Sequence, residues 1–110
     1  MKHWEKQKAM VLPLKGNLMG GMETRILEEK IHRIIQKGVR SLILDLSRVH
    51  WANGSGLGCL VGALQQMRTV GGTLRIVNPS HKVRSILDIT HLGPVLNVSE
   101  SSDVFAEASH

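Results

Sequence analysis

The residues best suited to chemistry gather in one stretch, Asp45-Leu-Ser-Arg-Val-His-Trp-Ala-Asn-Gly-Ser-Gly-Leu-Gly58. Within it, Ser55 offers a hydroxyl between Gly54 and Gly56, and glycine on both sides leaves that hydroxyl accessible. Serine is a preferred residue at a helix start, where its oxygen accepts from the first free N–H groups. The same free N–H groups and the helix dipole also favour an added negative charge. Two readings of Ser55 therefore stand side by side: a cap, or a hydroxyl poised to carry an anion. Acyl-transfer chemistry fits poorly. A nucleophile elbow needs Gly-x-Ser-x-Gly, and here Gly54 directly precedes Ser55. The glycines at 54, 56 and 58 do not match a dinucleotide fingerprint, and no Gly-Lys-Ser/Thr is present for a P-loop. The six histidines (His3, His32, His50, His81, His91 and His110) include no pair at helical ligand spacing with a third ligand near in sequence. The single cysteine, Cys59, excludes an internal disulfide and a cysteine-based metal site. No cofactor or metal is expected, and no acid–base pair marks an enzyme.

Composition narrows the classes further. The length of 110 residues suits one domain spanning 1–110. A hydrophobic fraction of 42% with 21% charged residues is that of an ordinary globular chain. Aromatic residues are confined to Trp4, Trp51 and Phe105, so the core must be aliphatic. Their scarcity argues against direct nucleic-acid binding by base stacking. The net charge is +5, with Lys and Arg scattered along the chain. That balance reads as solvated surface, or as a face for an acidic protein partner. The N-terminal residues are polar, with no apolar stretch of the secretory kind, and no apolar run approaches a membrane span. A cytoplasmic protein without membrane insertion is expected.

These residues need elements to position them. Met10–Lys15 reads as a strand closed by Gly16, and Pro13 within it belongs at a sheet edge or a bulge because it has no N–H. Residues His3 to Lys6 could pair with it as a short hairpin strand. The glycines of 16–21 mark a loop. Leu27, Ile31, Ile34 and Ile35 at helical spacing predict a helix from about Met22 to Lys37, stopped at Gly38. Glu29 and Arg33 stand four apart on its outer face. The continuous apolar run Ser41–Leu46 predicts a central strand, with Asp45 near its end. Residues 47–56 read as a loop. A second helix is expected from about Gly56 to Val70, with Leu57, Leu60, Val61, Leu64 and Met67 as its apolar stripe. Thr73–Val77 is a third strand, and Ser80 caps a helix running to about Ile89. Val95–Val98 is a short strand, and Ser101–Asp103 open a last helix. Strands alternating with helices imply an α/β domain with a mostly parallel sheet of four to five strands and about four helices.

The order and spacing of these segments resemble the STAS domain family, of the anti-sigma factor antagonist type. The family signature is a strand ending in Asp-Leu-Ser, a hydrophobic residue, then Asp-Ser-Ser-Gly-Leu opening a helix. Asp45-Leu-Ser47 and Asn53-Gly-Ser-Gly-Leu57 occupy those positions here. Gly71-Gly-Thr-Leu-Arg-Ile-Val77 matches the glycines and strand that follow, and Val83–Leu92 is similar to the next helix and its loop. Lys15-Gly-Asn-Leu18 sits where the family has its first strand-end glycine. The likeness spans nearly the whole chain. It departs from the family where Asn53 replaces an Asp, Gly54 replaces the first Ser, and Met19 stands where many members carry an acid. Those acids face the family's kinase partner, so their loss alters the electrostatics of any contact.

The resemblance implies a regulator that binds rather than catalyses. It implies that Ser55 is the phosphorylated residue, and that the partners are an anti-sigma factor with serine kinase activity and a phosphatase. By the same analogy the partner-binding residues are Gly16, Asn17, Leu18, Met19, Trp51, Asn53, Gly54, Ser55, Gly56 and Leu57. Asp45 and Ser47 would support the loop, although Asp45 serves equally well as a local turn cap. Trp51 is expected half-buried against the second helix, or partly exposed as a contact hot spot. The other reading is a non-phosphorylated STAS module, a scaffold or a transporter-associated subunit. A homodimer is compatible with either.

Overall fold

The computed structural model describes residues 8–99. The expected hairpin strand at His3–Lys6 and the expected helix opening at 101–103 lie outside those residues. The described elements run β1 (Lys8–Leu18), α1 (Met22–Gln36), β2 (Val39–Ala52), α2 (Gly54–Thr69), β3 (Thr73–Val77), α3 (His81–Thr90) and β4 (Val98–Ser99). The four strands form a parallel sheet in the order β1-β2-β3-β4. The parallel α/β architecture agrees with the sequence. The described part holds three helices, and β4 is only two residues long.

Strand β1 alternates as a half-buried strand should, with Met10, Leu12 and Leu14 turned toward the core and Val11, Pro13 and Lys15 exposed. It extends past the expected Lys15, so Gly16, Asn17 and Leu18 belong to the strand rather than to a loop. They continue pairing because β2 also continues: Gly16 lies beside Val49, Asn17 beside Trp51 and Leu18 beside Ala52.

The largest departure from the sequence reading is β2, which does not end at Leu46 but runs through Ala52. The reason is its irregular register. Shifts against β1 fall between Lys8 and Ala9, between Pro13 and Lys15, and between Gly16 and Asn17. At each, β2 carries an additional residue, which is how 14 residues of β2 lie along 11 of β1. Such bulges bend a strand and re-aim its side chains. From Leu42 onward, the positions buried on the main-core face are accordingly Leu42, Leu44, Leu46, Val49 and Ala52, spaced by two and then by three. The strict alternation that would have marked the second half as a strand is broken. Pro13 stands at one of these shifts and in the outermost described strand, where its missing N–H costs little.

Leu27, Ile31 and Ile34 of α1, Leu57, Leu60 and Leu64 of α2, and Val83 and Leu87 of α3 join Leu42, Leu44 and Leu46 in one aliphatic core. Burying each such side chain is worth about 1.5–3 kcal/mol, and together they are the main favourable contribution to folding. Ile43 and Val77 form a small second cluster on the opposite sheet face. Glu29 and Arg33 do pair, at 3.6 Å on the exposed side of α1. Such a surface pair contributes little, about 0.3–0.5 kcal/mol. The short last strand is displaced from the expected Val95–Val98. Residues 92–97 turn instead, with Leu96 N–H bonded to Leu92 O at 2.9 Å and Val98 N–H to Gly93 O at 3.2 Å. No helix among the described residues is long and apolar enough to cross a membrane.

Candidate functional site

The end of β1 and the start of α2 meet at the C-terminal edge of the parallel sheet. In open α/β sheets, ligand and partner sites gather at that edge. Asn53 N–H donates to Leu18 O at 3.1 Å, which ties the end of β2 to the end of β1. The Asn53 side chain then caps α2: its Oδ1 accepts from Gly56 N–H at 2.8 Å. Its carbonyl accepts the first intrahelical bond from Leu57 N–H at 2.9 Å.

This corrects the expected helix start. The helix begins at Gly54, and Ser55 lies two residues past the cap, in the first turn. Asn53 takes the capping role, so Ser55 does not. Ser55 is exposed, and its hydroxyl makes no hydrogen bond among the described residues. It still stands at the positive end of the α2 dipole, in the turn whose N–H groups have no intrahelical acceptor.

Two glycines hold Ser55 in place. Gly20 has φ +85, and a Cβ there would come within 2.9 Å of Ser55 Cβ and 3.7 Å of Ser55 Oγ. The β1–α1 loop therefore lies directly on Ser55. Gly56 sits so close to the end of β1 that a Cβ would fall 1.8 Å from Leu18 O. The loop itself is pinned by Glu23 in the first turn of α1, whose Oε1 accepts from Met19 N–H at 3.0 Å. Thr24 Oγ1 donates to Gly21 O at 2.7 Å. Gly20 and Glu23 were not singled out from the sequence. An acidic residue in a first helical turn, just after Gly20-Gly21, was the available signal for Glu23.

The elements that meet here also expose apolar side chains. Met19, Met22 and Trp51 are 41%, 70% and 43% exposed. Trp51 is thus partly exposed, beside Asn17 on β1. Leu18 and Leu57 are buried and belong to the core. Gly16 lies a few residues back, within β1. Asp45 and Ser47 are joined to each other, Ser47 N–H donating to Asp45 Oδ1 at 2.9 Å. That bond sits at the β2 bulge opposite Pro13–Lys15, and neither residue hydrogen-bonds Ser55 among the described residues. The one bond the Asp45 side chain makes among the described residues is therefore local, within β2. Cys59, one turn after Ser55, is buried with its thiol directed at Thr24 O, 3.8 Å away. Burial first, and then the charges of Glu28 and Glu23, push this thiol above its ordinary pKa. It stays protonated and unreactive at neutral pH.

Comparison with known proteins places the fold and the family. The STAS domain family model matches residues 4–104. The anti-sigma-B factor antagonist of Bacillus subtilis strain 168 is 30% identical over 78 residues, which is 71% of this chain and 71% of that protein. The fold resembles the unphosphorylated anti-sigma factor antagonist SpoIIAA with a TM-score of 0.75 and 23% identity, covering 96% of this chain and 91% of the other. It resembles the phosphorylated form of the Bacillus cell fate determinant SpoIIAA with a TM-score of 0.68 and 22% identity, covering 94% of each chain. With the family model matched along most of its length, the chain belongs to the STAS domain family.

Proposed function

We propose that the protein is an anti-sigma factor antagonist, a partner-switching regulator in which phosphorylation of Ser55 controls release of an anti-sigma factor with serine kinase activity. A phosphatase would reset the switch. The observation that carries this reading is the state of Ser55: exposed, without a hydrogen-bond partner among the described residues, and relieved of capping by Asn53. A hydroxyl with no structural duty at a helix start is free for modification. A phosphate there would carry about −1.5 to −2 charges and be favoured by the first-turn N–H groups and the dipole.

The β1–α1 loop that rests on Ser55 carries the exposed side chain of Met19 next to Gly20, and Met22 and Trp51 are exposed at the ends of the adjoining elements. An apolar protein interface formed on that surface would lose affinity when a doubly charged, strongly hydrated group is placed in it. The relative from Bacillus subtilis, an anti-sigma-B factor antagonist, supports the class of partner. Asn53 and Met19 in place of acids make this face less negative than is usual for the family. A kinase partner matched to it would rely more on apolar contact than on ion pairs.

The test is affinity capture from the native cell with wild type, Ser55→Ala and Ser55→Asp, with phosphosite mapping on the wild type. Phosphate on Ser55, an ATPase-type kinase held by wild type and Ser55→Ala, and its loss with Ser55→Asp are the expected results. A transporter or scaffold partner held equally by all three proteins, with no phosphate at Ser55, would replace the switch with an assembly role.

A further inference from the structure

Beside the proposed switch lies a second feature, which shares only Leu18 and Glu23 with it. A groove of about 480 Å³ opens between β1 and α1. That volume lies in the range of small-molecule sites, about 300–1,000 Å³. Leu14 and Leu18 from the strand and Ile26 and Leu27 from the helix give it apolar walls. Three cations, Lys15, Lys30 and Arg48, line it together with a single carboxylate, Glu23. Glu23 already accepts the Met19 N–H. None of the three cations has an ion pair or hydrogen bond among the described residues.

The placement of the cations is unfavourable as it stands. Lys15 and Arg48 occupy facing register positions on neighbouring strands. Like charges so placed repel, and no acid among the described residues pairs with either. On α1, Lys30 follows Ile26 by four residues and Glu23 by seven, so all three share one helix stripe. Local conflicts of this kind are commonly kept for a purpose that the fold itself does not reveal. An apolar cleft lined by cations that have no partner among the described residues is complementary to a molecule with an aliphatic body and an anionic head.

The geometry points to a binding site for a small amphipathic carboxylate, such as a medium-chain alkanoate, in the β1–α1 groove. Its chain would lie along Leu14, Leu18 and Ile26. Its carboxylate would be shared by Lys15, Lys30 and Arg48. Occupancy would reach the switch without touching Ser55, because Leu18 lies against Gly56 and Glu23 holds Met19. The proposal does not depend on phosphorylation, and its test reads binding directly.

Titration calorimetry with decanoate, kept below its micelle threshold and at low salt, is the first measurement. One-to-one binding is expected, weakened at least tenfold in the Lys15→Glu/Lys30→Glu double variant. Ile26→Trp, which fills the groove from a half-exposed position and keeps every charge, should abolish it. Circular dichroism checks that both variants are folded. Decyltrimethylammonium, with the same chain and the opposite charge, should bind at least tenfold more weakly than decanoate. In amide NMR spectra, decanoate should shift Leu18, Met19 and Glu23. Equal binding of the cationic amphiphile would overturn the proposal, as would charge reversal that changes affinity less than twofold. Binding that survives Ile26→Trp would place the anion on surface cations outside the groove and also overturn it. Binding of an acidic apolar peptide without binding of decanoate would assign the groove to a protein partner instead.

Discussion

A methyl group on Gly56 would lie 1.8 Å from the carbonyl oxygen of Leu18, whereas one on Gly58 would meet nothing within 4 Å. The two glycines are two residues apart on the same helix, yet their consequences diverge. The Gly56 clash is with backbone at the end of β1, which cannot swing aside as a flexible side chain can. Gly56→Ala should therefore cost about 3 kcal/mol or more, at or beyond the upper end of ordinary overpacking. Gly58→Ala should stabilise by up to about 1 kcal/mol, since alanine is the better helix former. Urea unfolding of the two variants beside wild type measures both. Equal effects would mean that α2 can slide away from β1 at little cost, and that Ser55 is not held by that contact. The sequence exposed both glycines but not their difference, because the close neighbour, Leu18, is far away in the chain. Ser55 illustrates the same limit. Asn53 and Ser55 are both good capping residues, and only the backbone geometry of Asn53, with its side chain on Gly56 N–H, decides between them.

At the scale of elements, the site is a junction of two helix starts with one strand end. Helix α2 begins where Asn53 accepts from Gly56 and donates to Leu18. Helix α1 begins after a loop that Glu23 draws back onto Met19. The strand and the two helices must hold together for the Gly20 loop to rest on Ser55. Asn53→Ala removes the side-chain acceptor and leaves the backbone bond to Leu18 intact. It should cost about 1 kcal/mol of stability, as loss of a helix cap does. Amide exchange should rise in the first turn of α2 more than in its last turn. A uniform change along α2 would show that the cap acts on the whole helix. Much of this level was legible: the apolar periodicities of α1 and α2, the Gly38 stop and the Ser80 cap all appear as the residues dictate. The second half of β2 was not, because its bulges space Leu46, Val49 and Ala52 by three, and a strand is recognised by a period of two. The same bulges bring Lys15 beside Arg48, a pairing between residues 33 apart in the chain. The charged groove was invisible for that reason.

For the molecule as a whole, stability should be graded across the sheet from its centre to its described fourth strand. Strand β2 is paired on both sides over Leu42–Asp45, to β1 and to β3. Leu42, Ile43 and Leu44 are at most 2% exposed, and helices pack on the Leu42 and Leu44 face. Exposing these amides requires breaking two ladders and opening the aliphatic core, which amounts to global unfolding. Strand β4 contributes two register pairs to β3, while the segment before it is anchored by Leu96 in the core, by Ile76 N–H donating to Asn97 O at 3.4 Å and by Asn97 Nδ2 donating to Leu74 O at 3.2 Å. The two pairs at Val98 and Ser99 lie past that anchor and can open while the core stays closed, as weakly attached strand ends do. Native-state hydrogen exchange should therefore place Leu42–Leu44 at the full free energy of unfolding and Val98 several kcal/mol below it, within the spread such units commonly show. The β1–α1 loop and the first turn of α2 should fall between, since they are tied by a few specific bonds at the sheet edge. That ordering is what the proposed switch requires: a rigid sheet to fix the position of Ser55, and an edge cheap enough to readjust if a charge is added there. Identical exchange free energies for Val98, Met19 and Ile43 would mean the domain opens as a single unit. A phosphate on Ser55 could then act only on the partner, not on the shape of the protein that carries it.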